Sequence, residues 1–320
     1  MYEIGWQRVA PWLVLLIVFS PARSSNESNF EKGYQFMERF RVEHRDHTLT
    51  DLERYRTLHL SLNLTVDMDL ETVQGYVDIN FVKIELESYL SDGDVVEHGL
   101  VLDIGTLIVV DRIEDLFSGE EVGYQVYCRS PTDFEGPDPT VMWCALVLDQ
   151  IVDRVGEGAV RIHYSTNSSS TALHFIQPAQ TLEKKSKFLV SVTQPSDARG
   201  WIPCQDTAAM KQPYDAEIRI KGPYTALMSA TLVGYAEDEG WRVYKFKQKY
   251  PVPPFLIALT VAEMAAVQLQ VGEMEGEEEE TRSIPITIWG EEDFLKKLEA
   301  SGKLNMVGLD YYKLKRTCTA

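Results

Sequence analysis

The sequence is poor in the residues and motifs that usually announce chemistry. It holds four cysteines in 320 residues, Cys128, Cys144, Cys204 and Cys318, with no C-x-x-C spacing. That excludes a disulfide-dense scaffold and a cysteine-built metal site. Its six histidines, His44, His47, His59, His98, His163 and His174, are scattered, and no H-E-x-x-H occurs. No helix face is therefore written to offer two imidazoles to a metal beside a glutamate base. The one local cluster, Glu43-His44-Arg45-Asp46-His47, lacks the i, i+4 spacing and reads as solvated polar chain. No G-x-S-x-G and no phosphate-binding glycine loop is present. Basic residues are outnumbered, 31 against 49 acidic, for a net charge of −18. Such a surface opposes nucleic acid and anionic membrane. No apolar run reaches the roughly 20 residues that span a bilayer, so no stable membrane span is expected.

What is present begins with a leader. Arg8 precedes an apolar run, Val9 to Phe19, broken only by Pro11, with small residues following at Ser20, Ala22 and Ser24. This predicts a signal peptide over residues 1–24, cleaved after Ala22 or Ser24, and a secreted protein. A signal anchor at the membrane is the alternative. Residues 25–51 form a polar arm. Three sequons, at Asn26, Asn63 and Asn167, are candidate glycosylation sites. Asn63 lies on the outward side of an alternating strand. Cys128 and Cys144 flank a turn-rich loop, Ser130 to Pro139, between two apolar runs and are expected to pair in an oxidising compartment. Cys204 reads as a buried free thiol.

The body of the chain reads as strands. Leu58, Leu60, Leu62, Leu64, Val66 and Met68 alternate with polar residues, the period of a half-buried strand. A second strand, Gly75 to Leu86, turns Val77, Ile79 and Phe81 to one face. Ten more follow: Gly99–Ile104, Leu107–Ile113, Val122–Tyr127, Met142–Leu148, Ala159–Tyr164, Phe188–Thr193, Asp215–Lys221, Ala226–Val233, Trp241–Gln248 and Phe255–Ala262. Turn signals such as Asp92-Gly93, Ser118-Gly119 and Glu239-Gly240 separate them. Many short strands at this spacing predict a mostly-β, multi-stranded antiparallel sandwich or saddle over residues 52–270. Trp241 to Lys247 interleaves aromatics with bases. The reading preferred over a nucleic-acid platform is a strand with Trp241 and Val243 inward and its lysines outward. Residues 271–320 open with an acidic loop from Glu273 to Glu280. A strand, Ile284–Trp289, and a helix from Glu291 follow as a short α/β fragment.

One segment carries a specific resemblance. Ser191 to Tyr214, SVTQPSDARGWIPCQDTAAMKQPY, resembles the signature of the gluzincin zinc aminopeptidases of peptidase family M1, in the branch of leukotriene-A4 hydrolase and aminopeptidase B. The matching positions are Gln194, Asp197, Ala198, Arg199, Pro203, Cys204, Gln205, Asp206, Thr207, Lys211 and Tyr214. Ala208 stands where the family usually has proline. Lys249 to Ala262, KYPVPPFLIALTVA, resembles the family's last β-domain strand.

The resemblance implies an N-terminal, substrate-side β-domain followed by the start of a catalytic domain. It implies that Gln194 lines the pocket near a peptide's free N-terminus, a task suited to an uncharged amide. Arg199, Pro203, Cys204 and Asp206 are read as structural, with Arg199 and Asp206 paired across two loops. Relatives use zinc. With no ligand motif in this chain, no cofactor and no catalytic residue are assigned to it, and it is expected to be inactive alone. A secreted pseudo-peptidase that binds peptides or a protein partner is the alternative. Ile286, Ile288, Phe294, Leu298 and Val307 are expected to stand partly uncovered, which would favour self-association through the C-terminal fragment.

Overall fold

The computed structural model describes residues 48–50, 52–84, 99–128, 143–149, 156–269 and 286–301. The apolar leader, Asn26, His44, His47, His98, the acidic run, Val307 and Cys318 lie outside them.

Two compact units divide the chain. The larger takes in residues 26–175 and 189–261. Its main sheet has seven strands: β1 (Tyr55–Asp67), β2 (Thr72–Lys83), β4 (Ile108–Asp115), β7 (Glu157–Thr166), β10 (Gln212–Lys221), β12 (Thr231–Asp238) and β13 (Trp241–Val252). Their order is β12-β13-β10-β1-β2-β7-β4. The pairings are antiparallel except for β1 with β10, which run parallel. A three-stranded sheet places β6 (Trp143–Leu148) between β3 (Val101–Gly105) and β5 (Tyr124–Cys128). A four-stranded sheet holds β11 (Thr225–Met228), β14 (Leu259–Ala262), β9 (Phe188–Ser191) and β8 (Leu173–Ile176), in that order. Side chains from all three sheets share one hydrophobic core, with Leu60, Ile79, Ile162 and Ile218 from the large sheet, Leu102 and Leu146 from the second, and Leu189 and Val261 from the third. The fold is mostly β, as the alternation predicts.

Period 2 explains most of this burial. Leu60, Leu62, Leu64 and Val66 point into the core, as do Val77, Ile79 and Phe81 on β2. Leu58 departs from its predicted place: it is 45% exposed. The β1–β2 register shifts between Thr57 and His59, so a bulge reverses the phase and turns Tyr55 and Thr57 inward instead. On β13 the phase is likewise opposite to the prediction. Tyr244 and Phe246 are buried, Trp241 and Val243 are only half-buried on the other face, and Lys245 and Lys247 are exposed as expected. Gly75 is required where β2 crosses β1: a Cβ there would come within 2.0 Å of the Asn63 carbonyl oxygen.

The second unit includes residues 176–188 and 262–320. Within it, β15 (Ala265–Leu269) and β16 (Ile286–Gly290) pair antiparallel, and helix α1 (Glu292–Ala300) follows. Its small core joins Ile288 and Leu295, with Ala265, Val267, Phe294 and Leu298 packed against them. Ile286 and Ile288 are buried rather than uncovered, at 4% and 3%, and Ile288 is covered by the hairpin and α1. Acidic side chains fasten the helix start. Glu291 accepts from the backbone N–H of Leu182 and Glu183 at 2.8 and 2.9 Å, and Glu183 accepts from Asp293 N–H at 2.6 Å. A carboxylate there complements the unpaired N–H groups of a helix N-terminus.

Candidate functional site

The signature segment leaves β9 as a loop pinned on both flanks. Thr193 is buried, its hydroxyl donates to the Phe255 carbonyl at 2.8 Å, and its own carbonyl accepts from Asp197 N–H at 2.8 Å. Ser191 Oγ accepts from Leu259 N–H at 2.8 Å. Between these anchors Gln194 and Pro195 project into solvent, joined by a cis peptide bond. The Gln194 amide is thus an exposed donor and acceptor on a fixed turn.

Behind the loop lies a buried polar frame. Ala198–Gly200 form one 3₁₀ turn, all three residues buried. A side chain at Gly200 has no room, since a Cβ would meet that of Ala172 at 2.8 Å. Arg199 is 2% exposed. Its Nε donates to Asp206 Oδ2 at 2.9 Å, its Nη2 to the Asp206 carbonyl at 3.0 Å, and its Nη1 to Asp103 Oδ1 at 3.3 Å. Asp103 also accepts from Asp206 N–H at 3.0 Å, Leu49 N–H at 2.8 Å and Thr48 Oγ1 at 2.5 Å. Two buried carboxylates thus share one guanidinium, and backbone donors from two stretches of chain, Leu49 and Asp206, meet the Asp103 carboxylate. Burial pushes the Asp103 carboxyl up to about 6, against the opposing pull of Arg199.

The remaining signature residues have structural tasks of the same kind. Cys204 bridges Asp103 main chain to main chain, at 2.8 and 3.2 Å. Burial raises its thiol well above the ordinary value, so it is a poor nucleophile. Pro203 is buried beside it. Gln205 fills the defect left by the β1 bulge: its Oε1 accepts from Thr57 N–H, and its Nε2 donates to the Tyr55 carbonyl, each at 2.9 Å. A side-chain amide here replaces the lost ladder partner. Tyr214 hydroxyl lies 2.9 Å from Ser229 Oγ, which donates to the Leu256 carbonyl at 2.5 Å. That ties the signature to the Lys249–Ala262 stretch.

Arg199, Cys204 and Asp206 therefore meet one another in the interior, while Gln194 stands apart on the surface. Asp103 is the member of the frame that sequence reading missed. Its one signal is a carboxylate in the apolar run Val101-Leu102-Asp103-Ile104. Cys128 and Cys144 face each other in the β5–β6 register and are joined by a disulfide, with Cα atoms 4.0 Å apart. Asn63 sits half-buried on β1, and Asn167 is exposed after β7. Among the described residues, no three His, Cys, Asp or Glu side chains converge as metal ligands. His59 faces Asp215 at 3.1 Å and His163 faces Glu114 at 3.3 Å, in different parts of the large sheet. None of the described helices is long and apolar enough to cross a membrane.

Comparison with known proteins places this architecture. The peptidase M1 N-terminal domain matches residues 53–256. Leucine aminopeptidase 2 of Chaetomium globosum is 30% identical over 227 residues, covering 69% of this chain and 33% of that protein. Leukotriene A-4 hydrolase of Xenopus laevis is 34% identical over 143 residues, covering 44% of this chain and 21% of the relative. The chain thus spans about a third of the fungal relative's length and less of the frog protein's. The solved structure of native yeast LTA4 hydrolase superposes with a TM-score of 0.56 at 22% identity, over 70% of this chain and 31% of that one, a likeness of fold. The chain belongs to the peptidase M1 family, and residues 53–256 are its N-terminal domain.

Proposed function

We propose that this chain supplies the substrate side of an M1 aminopeptidase, the Gln194 amide meeting the free N-terminus of a peptide, and that it cleaves nothing on its own. The observation that supports the first part is the placement of Gln194: exposed, on a turn anchored through Thr193, with the buried Arg199–Asp206–Asp103 frame behind it. A pre-positioned amide gives orientation without a titrating charge. The second part rests on the donor set. Zinc hydrolysis needs three protein ligands, an open position and a general base. The described histidines each face a separate carboxylate or lie apart, and the sequence has no H-E-x-x-H, so the family's zinc does not fit the residues of this chain. In a complete relative the domain would help hold peptides whose first residue is removed.

The chain is also read as secretory, from the Val9–Phe19 run, the three sequons and the Cys128–Cys144 disulfide, which is at home in an oxidising compartment. The test of peptide recognition is ligand-observed NMR on the purified chain with tripeptides bearing free or acetylated N-termini. Contacts are expected from the free amine only, and to be lost in Gln194→Ala. Equal signals from both peptides would overturn the role given to Gln194. Chelator-sensitive release of amino acids by the chain alone would overturn its inactivity.

A further inference from the structure

The outer face of the seven-stranded sheet carries a shallow groove of about 330 Å³, lined among others by Ser61, Asn63, Tyr76, Asp215 and Lys247. That volume is at the lower end of small-molecule sites. Its polar walls are already organised. Ser61 Oγ donates to Asp215 at 3.1 Å, and His59 lies 3.1 Å from the same carboxylate. Arg161 makes a two-pronged bond to Asp78 at 2.7 and 2.8 Å and places its guanidinium 4.0 Å over the Tyr76 ring. Asn63 stands directly across from Tyr76 in the β1–β2 register, and Glu217 flanks it on the other side. Asn63 is also the acceptor of the sequon Asn63-Leu64-Thr65, with Leu64 wholly buried and Thr65 on the outward row beside it.

We propose that this groove is the seat of the protein's own N-glycan: the first N-acetylglucosamine, attached to Asn63 Nδ2, lies in it against Tyr76. The attachment atom belongs to a lining residue, so an attached sugar starts inside the groove. An aromatic ring offers its face to sugar C–H groups, while Asp215, Ser61 and Lys247 offer acceptors and donors to hydroxyl and acetamido groups. A glycan so placed covers the polar middle of a long exposed sheet and excludes a free ligand from it. The inference rests on the secretory reading.

The experiment expresses the full chain with its leader in a eukaryotic host and maps glycopeptides of the secreted protein. Asn63 is expected to be occupied, and peptide N-glycosidase should release its glycan at least tenfold more slowly from native than from denatured protein. Asn63→Gln and Thr65→Ala, which remove the sequon from different positions, should each lower Tm by about 3 °C relative to Thr65→Ser, which keeps it. Glycans at Asn26 or Asn167 with none at Asn63 would overturn the groove assignment and leave secretion standing. Equal release from native and denatured protein would also overturn it. Secreted protein with no glycan at any of the three positions would likewise overturn it, whereas a chain that stays in the cell with its leader uncleaved would remove the secretory reading itself.

Discussion

At the scale of the residue, Asp103 is the most consequential side chain of the domain. It is fully buried in β3, and its partners come from Thr48 and Leu49 on one side and Arg199 and Asp206 on the other. Its carboxyl is pushed from 3.8 to about 6, first by burial, with Arg199 pulling the other way. Between those values the folded chain keeps a proton that the unfolded chain releases. The contribution of Asp103 to stability is therefore full below about pH 4 and is lost as pH rises through 6, a swing of about 3 kcal/mol. Asp215 runs in the opposite sense. The His59 hydrogen bond holds its carboxyl below the usual range, so its contribution is present above pH 4 and is lost as pH falls below it. In Asp103→Asn the difference in urea-unfolding free energy from wild type should shrink between pH 4 and 6 and stay flat above. A difference independent of pH would contradict the assignment. Arg199 and Asp206 were legible from the signature as a pair. Asp103 was not, because it meets Arg199 from 96 positions away and no local pattern announces that contact.

At the scale of the element, alternation predicted strand existence better than strand phase. β2 matched on all three inward residues, because the extra residue of the bulge opposite Asn80 and Phe81 lies on β1 and leaves the alternation of β2 unbroken. β1 reversed at Leu58 because a bulge adds a residue, and the bulge is stabilised by Gln205 from a distant loop. The predicted strand Ala226–Val233 is in fact two, β11 and the start of β12, because the chain passes from one sheet to another at Ser229 and Ala230. Strands β8 and β15 went unpredicted, short segments with little alternation to read. The β5–β6 ribbon illustrates covalent reinforcement. β5 is an edge strand whose residues after Tyr124 are exposed, so packing holds it weakly. The Cys128–Cys144 bond closes a loop with a sequence separation of 16, and in the chain-entropy model such a cross-link stabilises by roughly 3 kcal/mol. Cys128→Ala with Cys144→Ala should lower the unfolding free energy by about that amount, read from denaturant titration of the oxidised protein. A loss under about 0.5 kcal/mol would mean that this ribbon is secured by packing alone.

At the scale of the whole molecule, the two compact units have very different resources. The larger draws side chains from three sheets into one core, including the buried rings of Phe81, Tyr164 and Trp201. The smaller, among its described residues, rests on Ile288 and Leu295 with a few half-buried neighbours, and on the Glu291 and Glu183 bonds at the start of α1. Apolar burial stabilises by about 25 cal/mol per Å², so the smaller unit has far less to set against the entropy of ordering its hairpin and helix. Carboxylate bonds near the surface add little, and less at high salt. Amides of β15, β16 and α1 should therefore exchange through openings of lower free energy than those of β1, β2 and β10, which should report global unfolding. Leu295→Ala should speed exchange throughout β15, β16 and α1 while leaving β1, β2 and β10 unchanged, because its cavity lies in the smaller core. Hydrogen exchange with mass spectrometry on the wild type and this variant checks both points. Uniform protection across the two units, or a Leu295→Ala effect that spreads to β1, would show that they unfold as one.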